Sequence, residues 1–132
     1  MDIIDELGKN GRIMEAVDIF QKNPVRDNLY RLMTVIASRA KQGGMWMAPV
    51  GQKDLYGMVR TDDGKSWYAA YTDVAQSEHD TETSIINVPI LQHLSEIMKS
   101  DRAEGLLLNP WTQGMPVPKS WLQSILNVLA AE

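Results

Sequence analysis

The hydrophobic pattern changes its period at Gly43-Gly44, and this change is the strongest constraint on the fold. Before the glycine pair, apolar residues recur at intervals of three and four, which is the spacing of one face of a helix. The pattern predicts a helix over residues 12–22 and a second helix with Asn23 as its N-cap and Pro24 as its first residue. The glycine pair ends this second helix. Short apolar runs separated by turn residues follow, and these are typical of strands.

Two strands joined by a tight turn are predicted in the middle of the chain. Aromatic and β-branched residues over 55–60 and 66–72 favour strands. Asp63-Gly64 between them favours a hairpin with a type I′ turn, because that turn needs positive φ at both central residues. Gly64-Lys65-Ser66 also resembles the end of a phosphate-binding loop, but Val59 stands where that motif requires its first glycine. The hairpin is therefore the favoured interpretation.

Strands and helices alternate in the rest of the chain. Local apolar runs indicate the strands, and proline or acidic residues indicate where helices begin. The predicted elements are a strand over 45–50, a short helix from Thr72 or Asp73, a strand over 84–88, a helix beginning at Pro89, a strand over 105–109 ended by Asn109-Pro110, and a last helix beginning at Pro118.

This succession predicts an α/β (α+β) fold with a single mixed β-sheet of about five strands, helices packed on it, two N-terminal helices and a C-terminal helix. The hairpin makes part of the sheet antiparallel. The strand–helix–strand unit over residues 84–109 predicts a parallel pair joined by a right-handed crossover. A length of 132 residues fits one domain. We expect residues 1–132 to form it, with residues 1–10 as a loose N-terminal segment.

Composition and charge narrow the classes of function. The chain has no cysteine, which excludes disulfides, thiolate metal sites and cysteine nucleophiles. The net charge is −4 and the half after residue 60 is strongly acidic, so binding to nucleic acid is disfavoured. No window resembles a membrane span, and the acidic start is unlike a secretory signal. We expect a cytoplasmic protein with no nucleic acid and no membrane among its partners.

Catalytic and metal-binding patterns are weak in this sequence. Glu78, His79, Asp80 and Glu82 offer ligands for a divalent cation, but their spacing matches no calcium loop, and a charged surface loop is the favoured interpretation. His93 lies between Leu91 and Leu94 in the predicted helix over residues 89–99, where a partly buried or surface histidine is more frequent than a catalytic base. No pair of carboxylates is singled out by position. We expect no enzymatic activity, no cofactor and no metal.

The segment Trp111-Thr112-Gln113-Gly114-Met115-Pro116 is predicted to be a surface loop that carries two large apolar side chains. Most of the 8 Met and 4 Trp residues should fill the core, but both residue types are also frequent at binding surfaces. The candidate partner-binding residues are Trp111, Met115, Asn109 and Pro110. The expected partner is another protein or a second copy of this chain.

A family resemblance rests on the segment Gly105-Leu106-Leu107-Leu108-Asn109-Pro110-Trp111, on Val117-Pro118-Lys119 before the last helix, and on Val88-Pro89 before an earlier helix. In these features the chain resembles the SseB N-terminal-domain family of bacteria over about residues 12–128. The resemblance implies a compact α/β domain of the bacterial cytoplasm and supplies no reaction or catalytic residues. It implies that Asn109 and Pro110 shape the turn after a strand. Relatives often have a proline in the strand that ends at Thr72, and this chain lacks it.

Two hypotheses about function follow. In the first, the protein is a noncatalytic interaction module, and its sheet and the loop over residues 111–115 form the contact surface. In the second, it is a small-ligand-binding domain or a cryptic enzyme that uses surface carboxylates such as Asp73, Glu78 or Asp80. The first hypothesis predicts an exposed apolar patch around Trp111 and Met115 and no deep pocket. The second predicts a concave pocket with convergent carboxylates.

Overall fold

The structure of the protein is a computed structural model that describes residues 8–51, 55–81 and 83–131. The helices in this part of the chain are α1 (Gly11–Lys22), α2 (Arg26–Lys41), α3 (Val74–Ser77), α4 (Ile90–Lys99) and α5 (Lys119–Ala131). The strands are β1 (Met45–Pro49), β2 (Met58–Arg60), β3 (Ser66–Ala70), β4 (Ile85–Pro89), β5 (Gly105–Leu108) and β6 (Met115–Pro118). The predicted α+β class, with two N-terminal helices and a C-terminal helix, is confirmed.

The strands form two ladders. One is a four-stranded mixed sheet in the order β2-β3-β5-β6, in which only β3 and β5 run parallel. The other is an antiparallel pair of β1 and β4. An isolated bridge between Met47 and Tyr71 connects β1 to the chain beyond β3. The described residues thus hold six strands in two linked ladders, where a single sheet of about five strands was expected.

Helices α1, α2, α4 and α5 pack on one face of the four-stranded sheet and form one core with it. Side chains alternate between the faces of a strand, so Tyr68 and Ala70 of β3 point into this core, as do Leu106 and Leu108 of β5. The buried helical residues that join them are Ile13 and Val17 of α1, Leu32 and Ile36 of α2, Leu94 and Ile97 of α4, and Leu122 and Ile125 of α5. The intervening strand residues, such as Trp67 and Leu107, lie on the opposite face.

The sheet contains a parallel pair of strands, but the prediction that β4 and β5 form it is wrong. Strand β4 and strand β5 belong to different ladders, because Ile85 to Pro89 pair antiparallel with β1. The parallel neighbour of β5 is β3, with Tyr68 opposite Leu106 and Ala70 opposite Leu108. The connection between the parallel strands therefore contains α3, β4 and α4.

The hairpin between β2 and β3 is confirmed, but its turn is not type I′. Among the described non-glycine residues only Asn109 has a positive φ, so Asp63 does not adopt the left-handed conformation that a type I′ turn requires. Gly64 has a φ of 84°, and its N–H donates to Thr61 O at 2.9 Å. The N–H of Thr61 in turn donates to Lys65 O at 2.9 Å. These bonds define a type I turn followed by a left-handed glycine, a geometry that also suits a hairpin.

Two helix starts differ from the prediction. Helix α2 begins at Arg26 after Val25, because Asn23 instead ends α1 by donating its backbone N–H to Ile19 O at 3.0 Å. Helix α5 begins at Lys119, because residues up to Pro118 form strand β6. Prolines are tolerated in β6 because it is an edge strand, where an absent N–H costs no ladder bond on the open side.

Asn10, the last residue of the segment predicted to be loose, is anchored to the rest of the fold. Residues 1–7 lie outside the described residues. Asn10 is fully buried, and its Nδ2 donates to Met45 O at 2.7 Å and to Thr72 O at 2.8 Å. The Nε of the buried Arg39 donates to Asn10 Oδ1 at 3.0 Å. Asn10 therefore ties the start of α1 to α2, β1 and the end of β3.

Candidate functional site

Asn109 shapes the turn that follows β5. Its φ of 48° lies in the left-handed region, which asparagine adopts more readily than most residues. Its backbone carbonyl accepts from Thr112 N at 3.1 Å and from Gly114 N at 2.8 Å. Its side chain accepts from Thr72 N at 3.0 Å and donates to Gln113 Oε1 at 2.9 Å. The buried Asn109 thus closes the loop 110–114 upon itself and attaches it to the end of β3.

A second set of hydrogen bonds attaches the same loop to α1. Gln113 Nε2 donates to Met14 O at 2.9 Å and to Asp18 Oδ1 at 2.8 Å. Gln21 Nε2 donates to Gln113 O at 2.7 Å. Because the loop is held from the sheet side and from the helix side, its conformation is well determined despite its surface position.

Trp111 projects from this loop with 55% of its surface exposed. Its indole Nε1 donates to the phenolic oxygen of Tyr71 at 3.1 Å. Tyr71 follows β3 and is fully buried. The exposed indole ring is therefore fixed at one edge by a buried partner.

Tyr71 also forms a hydrogen bond with Asp80. Its hydroxyl donates to Asp80 Oδ2 at 2.9 Å. Asp80 also accepts from the hydroxyl of Thr83 at 2.6 Å and from Thr83 N at 3.2 Å. Burial first, and the adjacent Asp80 second, raise the pKa of Tyr71 far above its ordinary value. The phenol therefore stays protonated and holds the carboxylate and the indole in one arrangement.

A surface cleft of about 400 Å³ lies between this chain of hydrogen bonds and strand β2. It brings together two segments that the sequence singled out separately, the acidic segment around Asp80 and the loop that carries Trp111. The residues that line it are Pro49, Met58, Val59, Arg60, His79, Asp80, Thr81, Thr83 and Trp111.

The four candidate partner-binding residues have different positions. Trp111 is exposed and Pro110 is half-buried, whereas Asn109 and Met115 are buried at 1% and 3% exposure. The expectation that Met115 lies in a surface loop is wrong, because it begins β6 and faces the core opposite Leu108. The predicted apolar patch of Trp111 and Met115 is therefore not formed, and Asn109 acts through the loop geometry.

Two of the acidic residues considered for catalysis or metal binding, Asp73 and Asp80, have structural contacts. Asp73 is the N-cap of α3 and accepts from Gln76 N at 2.9 Å. Asp80 accepts from Tyr71 and Thr83, and Glu82 lies outside the described residues. In the part of the chain that the structure describes, no group of three or more His, Asp or Glu side chains is arranged to hold a metal ion. The described helices also include none long and apolar enough to cross a membrane.

His93 lies in the core, away from the cleft. It is fully buried, and its Nδ1 accepts from Trp46 Nε1 at 2.8 Å. The rings of Trp46, Tyr56 and Tyr68 surround it edge-on. Burial lowers the pKa of His93 to about 3, so the imidazole is neutral and packs as a core residue.

Sequence reasoning missed Tyr71 and strand β2 as parts of the site. Tyr71 was assigned only to a strand, and nothing local to it indicates a contact with residues 9 and 40 positions away.

The comparisons with known proteins add no second source of information. No protein-family model, curated protein or solved structure matches the chain.

Proposed function

We propose that this domain is a noncatalytic protein-interaction module whose contact surface is centred on Trp111. The observation that carries the proposal is the large, half-exposed indole ring held by a hydrogen bond to the buried Tyr71. Tryptophan is enriched among the residues that dominate binding energy at protein interfaces. A ring already held in place loses little conformational freedom on binding, which favours affinity.

The surroundings of Trp111 support a preformed surface. The loop 110–114 is bonded to β3 through Asn109 and to α1 through Gln113. Val59, which lies opposite Trp67 across β2 and β3, lines the same cleft as Trp111. A partner would therefore meet a rigid apolar surface without first ordering a loop.

We also propose that the chain belongs to the SseB N-terminal-domain family and works in the bacterial cytoplasm. The support comes from the turn after β5, where the positive φ of Asn109 fits the turn-shaping role that the resemblance assigns to Asn109-Pro110. The family implies no catalytic residues, which agrees with an interaction role.

A small-ligand-binding domain is the second candidate, and the cleft beside Trp111 is the observation that favours it. Its volume of about 400 Å³ lies within the range of small-molecule sites. Asp80 is the carboxylate among the described lining residues, and it already accepts hydrogen bonds from Tyr71 and Thr83. This arrangement supports binding more than carboxylate catalysis.

The test compares two exposed aromatic residues. The full chain is immobilised as the wild type, as Trp111→Ala and as Tyr30→Ala, and proteins retained from a lysate of the source organism are quantified by mass spectrometry. Tyr30 is a matched control because it is 67% exposed on α2 and does not line the cleft. We expect a stoichiometric partner that is retained by the wild type and Tyr30→Ala and lost by Trp111→Ala.

Folding of the variants is measured by urea unfolding. Trp111→Ala removes one hydrogen bond and the buried part of a large ring, so its cost in unfolding free energy should be about 2–4 kcal/mol. Retention of the same proteins by all three chains would contradict the interaction proposal. In that case, a small molecule detected by native mass spectrometry on the wild type and absent from Trp111→Ala would favour the ligand-binding alternative.

A further inference from the structure

Strand β4 is an open edge of the two-stranded ladder, and its pairing with β1 shows which main-chain groups face outward. The N–H of Val50 donates to Ser84 O at 2.9 Å, so Ser84 bonds toward β1. In an antiparallel ladder, hydrogen-bonded and non-hydrogen-bonded pairs alternate, so every second residue after Ser84 also bonds toward β1. The N–H and C=O groups of Ile85 and Asn87 therefore point away from β1.

These outward groups have no hydrogen-bond partner among the residues that the structure describes. The side chains around them are accessible as well. Asn87 is exposed, Ile85 and Ile86 are half-buried, and Leu91, just after the strand, is 45% exposed. An edge that combines free main-chain groups with accessible apolar side chains can pair with an added strand.

The two edges of the four-stranded sheet are protected against such pairing. In β6, the N–H of Lys119 donates to Glu104 O at 3.0 Å, so the alternate residues Pro116 and Pro118 occupy the outward positions. Neither proline has an N–H to donate to an added strand. Strand β2 is only three residues long and ends in the charged Arg60. Strand β4 has five residues, and its one proline is its last residue.

The absence of charge on β4 indicates which strand it fits. Residues 83–95 contain no Asp, Glu, Lys or Arg, although 23% of the chain is charged. When two copies pair around a two-fold axis, each edge meets its own sequence, so a charged edge would bring like charges together. The uncharged β4 has no such repulsion. A second copy also supplies a strand that is already extended, whereas a flexible segment of another protein would first have to be ordered.

We propose that two copies of this chain pair antiparallel along β4, with the two-fold axis at Ile86. The two β1-β4 ladders then join into one continuous sheet, and Ile85 of each copy exchanges main-chain hydrogen bonds with Asn87 of the other. Ile86 lies opposite Ile86 of the other copy as a non-hydrogen-bonded pair, with Cα atoms about 4.5 Å apart. The described residues that line the cleft beside Trp111 include none of β4, so this inference goes beyond the proposed function.

The first measurement is sedimentation velocity of the full chain from about 1 to about 500 μM, a range that brackets the affinity expected of a small interface. We expect a reversible monomer–dimer equilibrium with a dissociation constant of roughly 1–100 μM, because one strand from each copy forms an interface at the small end of specific contacts. Trp111→Ala should leave this equilibrium unchanged.

A single cysteine tests the position of the axis. The chain has no cysteine, so one introduced thiol can form a disulfide only between two copies. A Cα separation of about 4.5 Å lies within the range that a disulfide spans. We expect Ile86→Cys to form a covalent dimer in a glutathione redox buffer. Val128→Cys is the control, since Val128 is 49% exposed on α5 and should collide at least as often with other molecules.

Two double variants test the pairing itself. Ile85→Lys with Asn87→Lys places like charges directly opposite each other in both hydrogen-bonded pairs, whereas Ile85→Thr with Asn87→Thr keeps the edge uncharged. We expect the lysine variant to raise the dissociation constant at least about tenfold relative to the threonine variant. Urea unfolding checks that both variants fold. If the lysine variant does not fold, the comparison of Ile86→Cys with Val128→Cys decides alone.

Three results would each overturn the inference. The first is a wild-type chain that stays monomeric over the whole concentration range. The second is a covalent dimer that forms as readily with Val128→Cys as with Ile86→Cys. The third is a dimer that both double variants retain equally. A dimer that Trp111→Ala abolishes would also contradict it, because the second copy would then occupy the surface of the proposed function. Loss of a lysate partner in Trp111→Ala, with the β4 dimer intact, would support both proposals separately.

Discussion

Acidification from about pH 7 to about pH 5 is expected to destabilise the domain through His93. The imidazole is fully buried, and its Nδ1 is occupied by the N–H of Trp46 at 2.8 Å. The Nε2 atom therefore carries the proton, and it has no hydrogen-bond partner among the described residues. Adding a second proton to this ring would break the hydrogen bond from Trp46 Nε1 and place a charge in an aromatic core.

The size of the effect follows from the two pKa values. Burial lowers the pKa of His93 to about 3 in the folded protein, whereas an unfolded chain has a histidine pKa of about 6.5. Below the unfolded pKa the unfolded state binds more protons, so the free energy of unfolding decreases as the pH falls. The contribution from His93 is fully present above about pH 7 and decreases by about 2 kcal/mol at about pH 5.

The assay is urea unfolding of the wild type and His93→Asn across this pH range. The asparagine side chain places an amide oxygen near the position of Nδ1, so it can accept from Trp46 without titrating. We expect the wild type to lose about 2 kcal/mol more than His93→Asn between the two pH values, whatever the stability of the variant at neutral pH. If the free energy of unfolding changed with pH in the same way for both proteins, the reasoning would be refuted. The carboxylates present in both proteins would then account for all of the acid sensitivity.

Two further predictions concern β5 and β6. Met115→Ala should lower the free energy of unfolding in urea by about 2–5 kcal/mol and leave binding through Trp111 unchanged, since Met115 is 3% exposed; lost binding at unchanged stability would place Met115 at the surface. Gly105→Ala should destabilise by about 1–3 kcal/mol or more, because a Cβ would lie 2.2 Å from the carbonyl oxygen of Val117. Gly11→Ala is the control, since its Cβ would have no neighbour within 4 Å, and equal melting temperatures for the two alanine variants would contradict this prediction.

Local sequence patterns were sufficient for the helices and most strands. Gly43 ends α2 with a φ of 77°, as a glycine after a helix should. The apolar stripes predicted the buried faces, including Ile13 and Val17 of α1. These features depend on interactions within a few residues, and such interactions are visible in sequence.

Strand partners could not be predicted in the same way. The sequence predicts a loop over residues 111–116 and a helix from Pro118, whereas residues 115–118 form strand β6 because β5 offers a partner at the edge of the sheet. The strand–helix–strand order predicts β4 as a parallel neighbour of β5, yet β4 pairs with β1. Pairing depends on which apolar faces can be covered together, and this is a property of the whole fold.

The candidate site was also predicted only in part from the sequence. Sequence alone identified Trp111 as a large apolar residue near a turn at Asn109-Pro110, and it identified Asp80 as part of an acidic segment. Only the tertiary structure shows that Trp111 and Asp80 both contact Tyr71. It also shows that Trp111 is exposed, whereas Met115, four residues later, is buried. The physical reason is that composition and periodicity determine which segments can bury a face, whereas burial of a given side chain depends on the strand or helix that packs over it.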